Sequence, residues 1–121
     1  MKISHIFIYG DNLNSLCDFY SFVFDCEIIL SEADPYIVFD GYKFVFKKVL
    51  GKRNNILPSF SLALSEDEFN ALRQRLSLYN YKAGLEDNEQ LGNEINDPCD
   101  NIFLVDKVDS KKISEQTVRN C

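Results

Sequence analysis

Residue types that could carry chemistry are few in this chain of 121 residues, and they are widely spaced. The only histidine is His5, and the four cysteines are Cys17, Cys26, Cys99 and Cys121. No two cysteines have C-x-x-C spacing, and none is close to His5 along the sequence. Neither a structural zinc site nor a Cys–His nucleophile is therefore indicated. The thiols are most simply interpreted as reduced, which predicts a cytoplasmic protein.

The charge balance argues against two classes of partner. The chain has 13 Lys and Arg against 19 Asp and Glu, a formal net charge of −6, and its pI is about 4.7. A chain this acidic has little positive charge for phosphate backbones or anionic lipid surfaces, so we expect no nucleic-acid and no membrane partner. No stretch approaches the roughly 18 apolar residues of a membrane span, and the start lacks the pattern of a secretory signal.

The elements that must position His5 follow from the hydrophobic pattern. A β-rich stretch from Ile3 to Tyr9 predicts a strand, and Asn12 is a suitable N-cap for a helix over Leu13 to Phe24. The Asp40-Gly41 pair predicts a type I′ hairpin turn. Further strands are predicted at Cys26–Leu30, Tyr36–Phe39, Tyr42–Val49, Ser59–Leu64, Lys82–Leu85, Gln90–Ile95 and Asn101–Val105. A second helix, with a capping box at Ser65 and Glu68, is predicted to end near Asn80.

The order β-α-β-β-β thus occurs twice, with a period of roughly 55 residues. We predict one α+β domain over residues 1–121, with module one at 1–50, a linker at 51–58, module two at 59–106 and a polar tail at 107–121. Two modules can complete one sheet that neither could bury alone. The alternative is a generic α+β domain in which the apparent repeat arose by chance.

Several short motifs resemble the vicinal-oxygen-chelate superfamily, which includes glyoxalase I, bleomycin-resistance and fosfomycin-resistance proteins and extradiol dioxygenases. They cover nearly the whole chain: His5 to Tyr9, Asn12-Leu13, Phe19-Tyr20, Phe24-Asp25 and Asp97 to Asn101. Asn12 replaces the family's usual Asp, and Asp100 replaces a Gly in its closing D-P-x-G-N signature. The resemblance implies an incurved mixed sheet that forms a cleft, with helices on the outer face.

The same resemblance implies a place for each metal ligand of the family's enzymes. His5 matches the first ligand, but the later His position falls on Ser59 and the final Glu position falls on Leu104. The strand Tyr42–Val49 contains no acidic residue. One imidazole does not hold a metal ion without further donors, so we expect no metal cofactor. The alternative is that Glu94 or Asp106 joins His5 in a functioning metal-dependent lyase or dioxygenase.

Strand alternation predicts which side chains line the cleft. If His5 faces it, so do Phe7 and Tyr9 on the same strand, Ser59 and Ser61 on the first strand of module two, and Leu104 on the last strand. Lys47 either offers its charge to an acidic ligand or is a solvated hairpin lysine. Such an apolar, aromatic surface suits a small apolar or aromatic molecule. The resemblance implies a metal-free, sequestering homodimer of the bleomycin-resistance type, and a non-catalytic structural or interaction module is a further alternative.

Overall fold

A computed structural model of the chain describes residues 4–51, 57–85 and 94–108. Ile3 of the predicted opening strand, most of the linker, residues 86–93 and the tail from 109 lie outside the described residues. The elements, in chain order, are β1 (His5–Gly10), α1 (Leu13–Val23), β2 (Tyr36–Phe39), β3 (Tyr42–Lys48), β4 (Pro58–Leu64), α2 (Glu66–Lys82), β5 (Glu94–Asn96) and β6 (Ile102–Lys107).

The strands form two three-stranded sheets of the same design. The first sheet has the order β1-β3-β2 and the second has the order β4-β6-β5. In each sheet the first strand of a module is parallel to its last strand, which also pairs antiparallel with the strand preceding it along the chain. The α+β class and the internal repeat are confirmed, although hydrogen bonds do not join the described strands into one continuous sheet.

Both helices begin with the predicted caps. The side chain of Asn12 accepts a hydrogen bond from the Ser15 N–H over 3.1 Å. Ser65 and Glu68 form the complete capping box at the start of α2, with bonds of 3.0 and 3.2 Å. These contacts satisfy N–H groups that have no partner within the first helical turn. Asp25 follows α1 at a φ of 54°, a left-handed geometry that Asp adopts more readily than most residues.

Two predicted strands differ from the structure. The stretch Cys26–Leu30 contributes one isolated bridge, between Ile29 and Tyr36. The stretch Lys82–Leu85 is not a strand, because α2 continues to Lys82 and the Ala83 N–H still donates to the Tyr79 carbonyl over 2.9 Å. Gly84 follows the C-cap residue Ala83, and its φ of 72° is easily adopted only without a side chain. Neither described helix has the length and apolar character needed to span a membrane.

A shared aromatic core lies between the two sheets. The ring of Tyr20, on α1, is 5.4 Å from that of Phe46 in the first sheet and 6.1 Å from that of Phe103 in the second. The ring of Phe24 similarly contacts Phe39 at 4.7 Å and Phe103 at 5.7 Å. Because one face of each sheet packs on the same rings, the opposite face of each sheet points away from this core.

Candidate functional site

The outward face of the first sheet carries most of the residues predicted to bind a ligand. The register pairs His5 with Lys43, Phe7 with Val45 and Tyr9 with Lys47, and paired residues present their side chains on the same face of a sheet. Through the β2–β3 pairing, Tyr36 and Val38 lie on this face as well. We call the surface of these eight residues the first outer face.

Large apolar side chains on this face are open to solvent. Phe7 is 46% exposed, Tyr9 is 37% exposed and Val38 is 47% exposed, whereas Ile8 on the opposite side of β1 is 1% exposed. The alternation predicted for β1 is therefore confirmed. A run of adjacent exposed apolar residues is typical of a surface that meets a ligand or a partner.

Two lysine side chains lie across the rings of this face. The Lys43 ammonium is 4.7 Å from the centroid of the Tyr36 ring, and the Lys47 ammonium is 5.6 Å from that of Phe7. Lys47 also forms an ion pair with Asp34 at 3.3 Å. Both contacts keep the Lys47 charge over the aromatic surface, where the ammonium remains partly exposed to water.

His5 lies at the start of β1 with its ring exposed. Its Nδ1 is 2.6 Å from the Ser4 hydroxyl oxygen, and its ring stacks on that of Phe7 at 6.1 Å and 12°. Across the register, His5 is paired with Lys43. Neither the ammonium group of Lys43 nor the ring of Phe7 is a ligand that coordinates a metal ion. The immediate surroundings of His5 therefore do not resemble a metal site.

The remaining predicted residues lie on strands of the second sheet. Ser59, at an irregularity in β4, and Ser61 are both exposed, whereas Leu104 on β6 is half-buried. The register pairs Leu104 with Ser61 on one side and with Glu94 on the other. Asp106 is on the same face, two residues beyond Leu104. We call this surface the second outer face.

The structure does not bring all the predicted residues into one cleft. His5, Phe7, Tyr9 and Lys47 share the first outer face, whereas Ser61 and Leu104 belong to the second and Ser59 lies at the exposed irregularity of β4. Since both sheets pack their inner faces on one core, the two outer faces diverge from each other within the chain. The role of these residues in ligand binding stays a prediction.

The donors needed for a divalent cation are also dispersed. Among the residues that the structure describes, no group of three or more His, Cys, Asp or Glu side chains could hold a metal ion. The candidate oxygen donors Glu94 and Asp106 are on the second outer face, whereas His5 is on the first. Within residues 4–51, 57–85 and 94–108, these side chains therefore do not form a donor set that fits a divalent metal ion.

Sequence reasoning missed four members of the first outer face: Tyr36, Val38, Lys43 and Val45. The signal was present, because Lys43 alternates with Val45 and Lys47 along β3. What the sequence lacked was the pairing of β1 with β3, which places these side chains beside Phe7 and Tyr9. Parallel pairs are separated by long connections, so their register cannot be inferred from a local turn.

Comparison with known proteins identifies the fold of this chain. No protein-family model matches the sequence, and no curated protein sequence matches it significantly. A fosfomycin resistance protein, FosX, from Listeria monocytogenes superposes with a TM-score of 0.68 at 13% identity, covering 95% of this chain and 97% of that one. FosX from Mesorhizobium loti gives a TM-score of 0.62 at 11% identity, covering 93% and 97%. The oxidase ChaP-H2 gives 0.67 at 12% identity, covering 90% and 94%.

The chain has the vicinal-oxygen-chelate fold. The match extends over nearly the full length of both chains, so both modules and their arrangement are shared. The resemblance seen in the sequence motifs is thus confirmed at the level of the fold. At identities of 11–16% the similarity establishes the path of the backbone alone.

Proposed function

We propose that the chain binds a small organic molecule with an apolar or aromatic body on the first outer face, without a bound metal ion. The observation that carries this proposal is the exposure of Phe7 and Tyr9 beside Val38. Each Å² of apolar surface removed from water contributes about 25 cal/mol. Covering these side chains with a flat apolar ligand would therefore stabilise the complex.

The two lysines suggest what else the ligand carries. Lys43 and Lys47 lie on the same face of β3, each two positions from Val45 along the strand. An acidic group on the ligand could replace Asp34 as the partner of Lys47, because that ion pair is partly exposed and therefore weak. The proposed ligand class is an apolar or aromatic molecule, with an acidic substituent favoured.

A metal-dependent enzyme is the second candidate function. One of the similar structures is a variant of the Listeria FosX protein complexed with Mn(II) and 1S,2S-dihydroxypropylphosphonic acid. In this chain Glu94 and Asp106 supply carboxylates on the second outer face. They would have to reach the His5 of another copy, because the two outer faces diverge within one chain.

We also propose that the protein is a homodimer. The exposed apolar side chains of the first outer face support this, because surfaces of this kind commonly meet a partner. Sedimentation equilibrium tests it. We expect the mass of two chains, and a single 14.0 kDa species would contradict the proposal.

A thermal-shift screen of protein treated with a chelator distinguishes the functions. Apolar and aromatic acids should raise the melting temperature, since a ligand at 100 times its Kd adds about 2.7 kcal/mol to the free energy of unfolding. The matched variants are Phe7→Ala, which should reduce the shift to roughly half, and Leu50→Ala, which removes a side chain that is 96% exposed elsewhere and should leave the shift unchanged.

The other outcomes support the alternatives. If the shift appears only with added Mn²⁺, and His5→Ala abolishes that Mn²⁺-dependent shift, the metal-dependent candidate is correct. If no acid shifts the melting temperature with or without Mn²⁺, the protein is a structural or interaction module.

A further inference from the structure

A cavity of about 650 Å³ lies between the two modules, away from the first outer face. The hairpin of the first sheet forms one wall, with Phe39 and Tyr42 on either side of its turn and Ile6 from β1. The other wall comes from β4, including Leu62, and from the start of α2. Its volume is within the range of small-molecule sites in proteins.

The lining of this cavity includes apolar and aromatic side chains beside polar ones. Ile6, Phe39, Tyr42 and Leu62 all pack against the hydrophobic core while remaining partly accessible. Two of them have rings, and the face of an aromatic ring attracts a cation. The apolar side chains can therefore contact the apolar part of a ligand, and the rings of Phe39 and Tyr42 can attract a positively charged group.

The charges at the cavity are all of one sign. Asp40 at the hairpin turn and Glu68 in the first turn of α2 both line it, whereas its described lining contains no Lys, Arg or His. One oxygen of Glu68 accepts the Ser65 N–H over 3.0 Å, which leaves the second oxygen for another donor. The same bond lowers the pKa of Glu68, so this carboxylate is ionised at neutral pH.

We propose that this cavity is a second binding site, which takes a small organic cation with an apolar body and one protonated amine. The apolar body lies against Ile6, Phe39 and Leu62. The ammonium group lies between the carboxylates of Asp40 and Glu68. The site is independent of the ligand proposed for the first outer face, and its occupant has the opposite charge.

Two conservative substitutions test the site without disturbing the fold. Asp40→Asn keeps a residue that tolerates the φ of 52° at this turn, and Glu68→Gln keeps the capping box. The control pair is Glu66→Gln with Asp67→Asn, in the same helical turn but not in the lining of the cavity. Isothermal titration with 3-phenylpropylamine measures the affinity, and 3-phenylpropanol is the neutral probe of matched shape.

We expect saturable binding of the amine and weaker binding of the alcohol. The double variant Asp40→Asn/Glu68→Gln should weaken the amine by roughly 2- to 30-fold, as for two partly exposed charge pairs. The control pair should change its affinity less than twofold. In an amide NMR titration, the signals of Ile6 and Leu62 should move more than those of Phe7 and Tyr9.

Three results would overturn the proposal: no saturable amine binding, equal affinity for the alcohol, or equal weakening in the control pair. The larger NMR shifts falling at Phe7 and Tyr9 would also overturn it, because the amine would then occupy the first outer face. Phe7→Ala, which tests the first outer face, should leave the affinity for 3-phenylpropylamine unchanged. The two proposals can therefore fail separately.

Discussion

The phenolic hydroxyl of Tyr20 donates a hydrogen bond of 2.7 Å to Oδ2 of Asp97, and this buried contact joins the two modules. Asp97 also accepts bonds from the backbone N–H groups of Cys99 and Asn101 and from the Asn101 side chain. Asn101 in turn donates to the Tyr9 carbonyl over 2.8 Å. The turn that resembles the D-P-x-G-N signature therefore connects module two to module one through hydrogen bonds to α1 and β1.

Removing the hydroxyl group of Tyr20 should weaken this connection between the modules. Tyr20→Phe leaves the buried Asp97 carboxylate with one donor fewer, and we expect a loss of about 1.5–3 kcal/mol in the free energy of unfolding. Urea denaturation followed by circular dichroism measures it. Tyr81→Phe is the control, because Tyr81 is 82% exposed and should change stability by less than about 0.5 kcal/mol. Equal effects of the two variants would contradict a role for the bond.

Asp97 should also impose a pH dependence on stability. Burial raises the pKa of its carboxyl above the ordinary value, even though the hydrogen bonds from Tyr20 and Asn101 act in the opposite direction. An acid with a raised pKa in the folded state binds its proton more tightly there. Its stabilising contribution is complete below the unfolded pKa of about 4 and is lost as pH rises through the folded pKa.

The measurement is the free energy of unfolding of the wild type minus that of Asp97→Asn, taken from pH 3.5 to pH 7. This difference cancels most of the titration of the other carboxylates. We expect this difference in the free energy of unfolding to decrease as pH rises. A difference that is constant, or that increases with pH, would show that the hydrogen bonds outweigh the burial.

A second contact between the modules connects the two helices. The Nε of Arg75 on α2 donates to the Val23 carbonyl at the end of α1 over 2.6 Å. Helix C-terminal carbonyls have no partner within their helix and attract cations. Arg75→Met should therefore lower the free energy of unfolding by about 1–3 kcal/mol. Arg73→Met, in an exposed position of the same helix, should have little effect, and comparable losses for both would argue against the contact.

Gly10 permits a close approach at the end of β1. A Cβ atom at this position would lie 2.6 Å from the Cys99 Sγ and 2.7 Å from the Leu16 Cδ1. Gly10→Ala should therefore force the closing turn or α1 to shift, at a cost of about 1–3 kcal/mol. Gly41→Ala provides a contrast, since no atom lies within 4 Å of its added Cβ and only its φ of 81° opposes the change. A melting temperature unaffected by Gly10→Ala would contradict the packing described.

Local features of the fold were predictable from the sequence. The caps at Asn12 and Ser65 and the hairpin turn at Asp40-Gly41 depend on residues adjacent in the chain, and all are confirmed. The helix predicted to end near Asn80 ends at Lys82, because residues 80–82 contain no strong helix breaker. The strand predicted at Lys82–Leu85 was therefore wrong. The single bridge at Ile29 shows the same limit, since pairing of a short strand depends on its neighbour as well as on its own residues.

The sequence predicted which side chains of β1 point outward, but it did not predict how the two sheets are placed relative to each other. Alternation placed Phe7 and Tyr9 outward and Ile8 inward, as the structure has them. The relation of the first sheet to the second depends on contacts between distant residues, such as Phe24 with Phe103. No local pattern contains that information, so the expectation of one cleft shared by Phe7 and Leu104 could be tested only on the structure.

The most direct test of the central proposal is isothermal titration of 1-naphthoate into chelator-treated protein and into its Phe7→Ala variant. We predict saturable binding by the wild type with no added metal, and a Kd about tenfold higher in Phe7→Ala, as expected when an aromatic contact is lost. Lys47→Gln should also weaken binding, whereas Lys48→Gln, in the adjacent position on the other side of β3, should not. Binding that appears only after Mn²⁺ is added, and that His5→Ala abolishes, would contradict the proposal.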